Sequence, residues 1–201
     1  MPKLKPEYYL NHDVIFLAKN LLGKILFTEK NGEITAGVIT ETEAYLGEDD
    51  KASHAYGGRR TLRTEAMYLP GGFCYVYLCY GIHHLLNIVI SQKNDPKSIL
   101  IRSVEPYLGL RVMERRRDMT ASSKAISSGP GSVCKALGID MTFNKKSLTG
   151  ERIWIEESES SYNAEDIAST PRIGVDYAGG HAQLSLRFYL RNNRFVSKIK
   201  G

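Results

Sequence analysis

Glu41-Thr42-Glu43-Ala44-Tyr45-Leu46-Gly47-Glu48-Asp49-Asp50-Lys51-Ala52-Ser53-His54 begins as a strand and ends as a polar loop. Side chains alternate faces along a strand, so Glu41, Glu43 and Tyr45 point the same way. A strand that aligns two carboxylates and a tyrosine is either a solvated polar face or a site. The surrounding sequence has to decide between them.

Upstream, residues 24–28 read as a strand, Asn31-Gly32 as a hairpin turn and 34–45 as the partner strand. Before that hairpin, Val14, Leu17, Ala18, Leu21 and Leu22 form a helical stripe over 13–22, with Asp13 as N-cap and Gly23 as stop. Downstream, 47–66 is polar and too long for a simple turn, a type of segment that is usually functional or disordered. Pro70-Gly71-Gly72 breaks the chain ahead of an aromatic β run at 73–80, and 85–91 resumes the strand pattern. A second hairpin follows, with Tyr80 to His84 near its tip. Residues 98–104 read as a strand, 109–119 as a basic helix, 131–137 as a short helix, and 151–157 and 184–190 as late strands. Residues 120–128 and 158–170 read as Ser-rich loops. The expectation is one α+β domain over 1–201, built on antiparallel strands, without internal repeat or linker.

With 42% hydrophobic and 24% charged residues the composition is that of an ordinary globular protein, long enough at 201 residues to bury a core. No apolar run approaches the roughly 20 residues of a membrane span. The N-terminus carries no secretory apolar segment. Cys74, Cys79 and Cys134 are too few and too irregular for a disulfide framework, which predicts an intracellular, reducing compartment. Cys74 and Cys79 fall on opposite faces of their strand, as two buried thiols would. The net charge of +5 is a weak argument for a nucleic-acid partner, but its distribution is more telling. Arg59, Arg60 and Arg63 follow the opening motif. Arg111, Arg115, Arg116 and Arg117 form a second cluster, and Arg187, Arg191, Arg194, Lys198 and Lys200 a third. Acidic residues concentrate in 41–50 and 151–159. An acidic centre in a basic protein suits an enzyme acting on a polyanion.

If the two hairpins and the polar loop pack side by side, they bring together Glu41, Glu43, Tyr45, His54, Tyr75, Tyr77 and Asn87. Glu41, Glu43, Asp49, Asp50 and His54 could alternatively hold a hard cation, but the chain lacks EF-hand spacing, a paired-His helix and a Cys cluster. No GxSxG elbow, P-loop or dinucleotide fingerprint is present. His83-His84 is expected to be exposed, and Gly129-Pro130-Gly131 is either a phosphate-binding helix start or a turn.

Taken in order, Glu-Thr-Glu-Ala-Tyr-Leu-Gly (41–47), Ser-His (53–54), Gly-Gly-Arg (57–59), Met67, Pro-Gly (70–71), Tyr-Val-Tyr (75–77), Tyr-Gly (80–81), Asn87 and Leu-Ile-Arg (100–102) strongly resemble the alkyladenine (3-methyladenine) DNA glycosylase family. Further matches stand at Gly129-Pro130-Gly131, Ala136-Leu137, Pro171-Arg172-Ile173-Gly174 and Leu186-Arg187-Phe188-Tyr189. The likeness runs from about residue 10 to residue 197.

The resemblance implies a single α+β domain with a curved antiparallel sheet, surrounding helices and a protruding β-hairpin. It also implies a monofunctional hydrolase that excises 3-methyladenine, 7-methylguanine, hypoxanthine or ethenoadenine from duplex DNA and leaves an abasic site. Neither metal nor cofactor is implied, nor a β-lyase role for Lys51. Glu43 matches the catalytic base that deprotonates water for attack at C1′. Tyr45, His54 and Tyr77 match the base pocket. Asn87 matches a residue that crowds the guanine 2-amino group. Tyr80 matches the wedge that fills the gap left by a flipped nucleotide. Arg102 matches a pocket-side arginine, read as a contact to the DNA backbone. The implied partner is double-stranded DNA containing damaged purines, bound by a monomer and with no membrane involved. The implied location is cytoplasmic and nucleoid-associated in a bacterium, nuclear in a eukaryote.

Two departures stand out. His83-His84 follows the wedge where apolar or aromatic residues are expected, so hairpin stiffness and damage search would differ. The long N-terminal extension of mammalian relatives is also missing, as in a bacterial or minimal form. Two other readings compete: a lesion-binding protein without catalysis, and a nucleoside or carbohydrate hydrolase using Glu41 and Glu43 as its carboxylate pair.

Overall fold

The computed structural model describes residues 1–160 and 162–197; Lys198 and Lys200, counted above in the third basic cluster, lie outside the described residues. Strands β1 (Ile25–Lys30) and β2 (Glu33–Tyr45) pair antiparallel, with Lys30 opposite Glu33. Asn31 and Gly32 between them both have positive φ, 56° and 79°. Two left-handed residues are what a tight turn between twisted strands requires, so this dipeptide fixes the register.

β2 outruns its partner and changes neighbours halfway. Its far half is flanked by β5 (Lys97–Leu108) on one side and β8 (Arg187–Leu190) on the other. Glu41 pairs with Ser103 and Tyr189, and Glu43 with Leu100 and Arg187. The acidic motif is therefore an interior strand, and both carboxylates are fully buried. Among the described residues the sheet runs β3 (Cys74–Cys79), β4 (His83–Ile90), β5, β2, β1, β6 (Ile153–Glu156), with β8 on β2 and β7 (Ile167–Thr170) on β8. It is antiparallel and curled into a half-barrel, as the α+β expectation requires.

Strand alternation divides this sheet into a core face and a working face. Cys74 and Val76 of β3, Leu86 and Ile88 of β4, Ile99 and Ile101 of β5 and Ala44 of β2 enter the main apolar core. There they meet helix α2 (Val14–Asn20) and a second helix, Pro130–Leu137. α2 starts as predicted, with Asp13 accepting a hydrogen bond from the Phe16 amide at 2.9 Å. Tyr75, Tyr77, Asn87, Leu100, Arg102 and Tyr45, one position out of step, all line a cavity instead. The basic helix α3 (Leu110–Arg117) lies within its predicted span, and the second helix is named α4.

Several elements depart from the sequence reading. β5 continues past Val104 to Leu108 although it contains Pro106, which has no amide to donate. A register shift opposite, between Ala36 and Gly37, accommodates it. β7 lies in a segment read as loop; it pairs with β8 alone, and its few apolar residues give no strand pattern. A single helical turn, α1 (Pro6–Tyr9), buries Tyr9, whose carbonyl accepts from the Ser91 amide. A Cβ on Gly71 would lie 2.0 Å from that carbonyl oxygen, so the Pro-Gly-Gly break is a close backbone approach and not merely a stop. Cys79 is also corrected. Only Cys74 of that pair is buried; Cys79 sits half-exposed where the hairpin arms project beyond the sheet.

Candidate active site

The polar loop is ordered by short 3-10 turns at Gly47–Asp49, Tyr56–Gly58 and Glu65–Tyr68. Ala55, Ala66, Met67 and Tyr68 pack beneath it against Tyr75 and Val89. The loop thereby closes over the working face and leaves a cavity of about 510 Å³. Tyr45, His54, Tyr77, Asn87 and Arg102 all line it, and Tyr80 stands at its rim.

Glu43 lies behind the wall of this cavity. Its Oε2 accepts from the Tyr45 hydroxyl at 3.0 Å, and its Oε1 from the Ile173 amide at 2.8 Å. Arg102 Nη1 is 3.1 Å from the same Oε1. Tyr45, Arg102 and Ile173 all line the cavity, so the carboxylate is presented by its own partners. Burial, then the Glu43 charge, pushes the Tyr45 phenol far above its ordinary pKa, and it stays a donor at any working pH.

Glu41, one pleat away, is committed inside the protein. Its oxygens accept from Arg102 Nε (3.0 Å), Arg187 Nε (2.6 Å), Ser103 Oγ (2.7 Å) and the Ser197 amide (2.8 Å). Burial would raise its pKa, but Arg102, Ser197 and Arg187 outweigh that and hold it below the ordinary carboxylate range. Arg102 is similarly placed: burial would lower its pKa, whereas Glu43 and Glu41 raise it. It lines the cavity wall. It is only 7% exposed and fixes the two carboxylates relative to each other.

The aromatic wall is built by pairs. Tyr75 and Tyr77 stack at 5.3 Å with 28° between planes, and His54 meets Tyr77 edge-on at 4.7 Å. His54 Nδ1 is 2.8 Å from the Tyr75 hydroxyl, which Arg63 also approaches. Burial, then the charges of Arg63 and Arg59, lowers the His54 pKa from 6.5 to about 4. An NMR titration of His54 should therefore show a midpoint near 4, with no transition between pH 6 and 7; a midpoint above 6 would contradict this environment. The sign for stability follows. The unfolded chain binds the proton more tightly, so as pH falls from 6.5 towards 4 this histidine progressively disfavours the folded state.

Asn87 is 4% exposed, and its Nδ2 has no hydrogen-bond partner among the described residues. A buried amide left unsatisfied at a cavity wall is costly, and it selects for an occupant with a matching acceptor. Tyr80 is the opposite case, 91% exposed with φ +50°. With Gly81 (φ +72°) it forms the hairpin tip, closed by the Ile82 amide on the Cys79 carbonyl at 3.1 Å. A bulky aromatic in left-handed backbone, almost wholly in water, contributes little to folding and points to function. His83 is exposed as expected, whereas His84 is only half-exposed.

Three residues escaped the sequence reading. Asp50 was weighed only as a metal ligand, but it forms a buried two-pronged pair with Arg172, at 2.5 and 2.9 Å. Arg172 Nη1 also donates to the Ala44 carbonyl at 3.0 Å, and its guanidinium lies 4.7 Å from the Tyr45 ring centre. The next residue, Ile173, supplies the amide to Glu43. One clamp thus ties the polar loop, the acidic strand and the 171–174 segment together. The Pro171-Arg172-Ile173-Gly174 match marked this segment without revealing its role. The cation-site reading loses its donors to these pairs. Among the described residues no three of His, Cys, Asp and Glu stand together as potential ligands.

A family model described as methylpurine-DNA glycosylase matches residues 8–194. A Clostridium acetobutylicum protein named "Putative 3-methyladenine DNA glycosylase" is 42% identical over 98% of both chains. Proteins of the same name from Chlamydia felis and Clostridium perfringens are 45% and 41% identical, covering 93% and 98% of this chain and 95% and 99% of their own.

Proposed function

The chain belongs to the methylpurine-DNA glycosylase family, and from that membership we propose that it flips damaged purines out of duplex DNA and hydrolyses their N-glycosidic bond. The substrates are alkylated and deaminated purines: 3-methyladenine, 7-methylguanine, hypoxanthine and ethenoadenine. The observation that carries this reading is one buried carboxylate, Glu43, whose three partners all line an aromatic cavity.

In this mechanism the flipped purine stacks between the Tyr45 and Tyr77 rings, and Tyr80 fills the gap it leaves in the duplex. Water bonds to C1′ and gives its proton to Glu43, while the C1′–N9 bond breaks and its electron pair passes to the purine. Positive charge then develops on the sugar, and a fixed anion nearby stabilises it. Arg102 and the Ile173 amide hold that anion in place. Asn87 presents its unsatisfied amide to the base and crowds the guanine 2-amino group. Glu41 is unavailable as a second catalytic carboxylate, since every one of its contacts is internal. This argues against a paired-carboxylate sugar hydrolase.

The test is single-turnover base release from a duplex with one hypoxanthine or ethenoadenine, in EDTA. Free base and an alkali-labile abasic site are expected, with the strand intact until alkali is added. Lesion-specific binding without release, on these duplexes and on 3-methyladenine DNA, would instead leave a damage-binding protein.

A further inference from the structure

Arg63 lays its guanidinium over Tyr77, with Cζ 5.1 Å from the ring centre, on a ring against which a purine would stack. It lines the base cavity and also an adjoining cleft of about 450 Å³ that contains Lys51, His54, Arg59, Thr61 and Tyr177. No carboxylate lines either space among the described residues. Among the described residues the guanidinium is therefore a cation resting on an aromatic face beside the Tyr75 hydroxyl, with no carboxylate in either space.

We propose that Arg63 sets the selectivity of the site between neutral and cationic purines, by standing at the edge of the bound base. This rests on the glycosylase reading. A purine that takes the Tyr77 face must displace the guanidinium. The adjoining cleft already holds Lys51 and Arg59 and offers no anion, so it does not draw Arg63 away. The displaced charge stays beside the base and acts oppositely on the two substrate classes.

A 7-methylguanine or 3-methyladenine base carries a positive charge that is still partly present in the transition state, and Arg63 repels it. A hypoxanthine or ethenoadenine base is neutral, and gains electron density as the C1′–N9 pair passes to it. Arg63 stabilises that density until solvent protonates the departing purine, while the water proton goes to Glu43. One arginine thus favours departure of neutral bases and penalises capture of charged ones. Arg63 is exposed at the mouth of the cavity, so replacing it opens no void in the core.

The experiment is competition. Two duplexes of one sequence, one with hypoxanthine and the other with 7-methylguanine, are mixed and the two released bases quantified. The competitive ratio reports transition-state selectivity directly. Arg63→Met is expected to shift it about tenfold towards 7-methylguanine, the scale of one cation interaction at a partly desolvated site. Hypoxanthine should lose chiefly in the rate of release at saturation. Arg63→Lys keeps the charge and should retain most of the wild-type ratio. An equal fall for both lesions would make Arg63 a simple DNA contact and overturn the proposal, as would an unchanged ratio. Failure of wild type to release either base would overturn the glycosylase reading itself, a separate and recognisable result.

Discussion

Glu43→Gln is expected to lower single-turnover base release by at least about 10³-fold while leaving lesion binding nearly intact, since a lost general base typically costs 10²–10⁴ and a stabilising charge is lost with it. The amide is isosteric, and its oxygen can still accept from Ile173 and face Arg102. The Tyr45 hydroxyl can turn to accept from the new NH₂ group. Arg102 keeps its bond to Glu41. The fold should therefore tolerate the change, and the aromatic cavity proposed to capture the purine is untouched. What would disappear is the proposed proton acceptor and the anion it places beside C1′. Release by the variant at near wild-type rate would place water activation elsewhere. Binding lost together with release would reduce Glu43 to a structural role. Running the same comparison on hypoxanthine and on 7-methylguanine adds a control, because both leaving groups need the attacking water and both should fall.

Local chemistry made much of the fold legible. Asn31-Gly32 can form little but a tight hairpin turn, and Asp13 starts a helix by capping, although that helix stops at Asn20, short of the Gly23 read as its end. These features act within a few residues. β7 and the extension of β5 through Pro106 were not legible, because their partners are distant in sequence. Ile167 becomes strand only by pairing with Leu190, and Leu108 only by pairing with Ala36. Propensity within 158–170 carries no trace of that pairing.

The site was legible in another sense. Tyr45, His54, Tyr77 and Asn87 were named through family resemblance, and all four line one cavity, three of them aimed there by strand alternation and His54 by the polar loop. Periodicity placed Glu41 and Glu43 on one face but gave them equal standing. Only their partners separate them. Glu41 faces two guanidiniums, two serine hydroxyls and an amide, whereas the three partners of Glu43, Tyr45, Arg102 and Ile173, all line the cavity. Asp50 was missed for the same reason: its partner, Arg172, lies 122 residues away, and an acidic loop residue alone says nothing of a buried ion pair.

That separation of roles predicts a contrasting phenotype at Glu41. Glu41→Gln leaves the guanidiniums of Arg102 and Arg187 buried beside a neutral amide, and breaking one side of a buried ion pair typically costs about 3–5 kcal/mol. For a domain of this size that lowers the melting temperature by roughly 6–20 °C. The pH dependence has a definite sign. Glu41 is held below its ordinary value of 4.5, so its stabilisation is fully present above that pH and fades as pH falls through the lowered folded value. Wild type and variant should therefore differ most at neutral pH and converge in acid, as urea melts at several pH values would read. At a temperature where the variant is folded, base release should drop by no more than about tenfold, far less than removal of a general base. Glu43 keeps its bonds from Tyr45 and Ile173, and only the anchoring of Arg102 is loosened. A Glu41→Gln protein with unchanged stability and abolished release would put both carboxylates in the chemistry and restore the paired-carboxylate hydrolase. A destabilised protein that still releases base confines the chemistry to Glu43 and makes Glu41 the buried counter-ion that fixes Arg102 beside it.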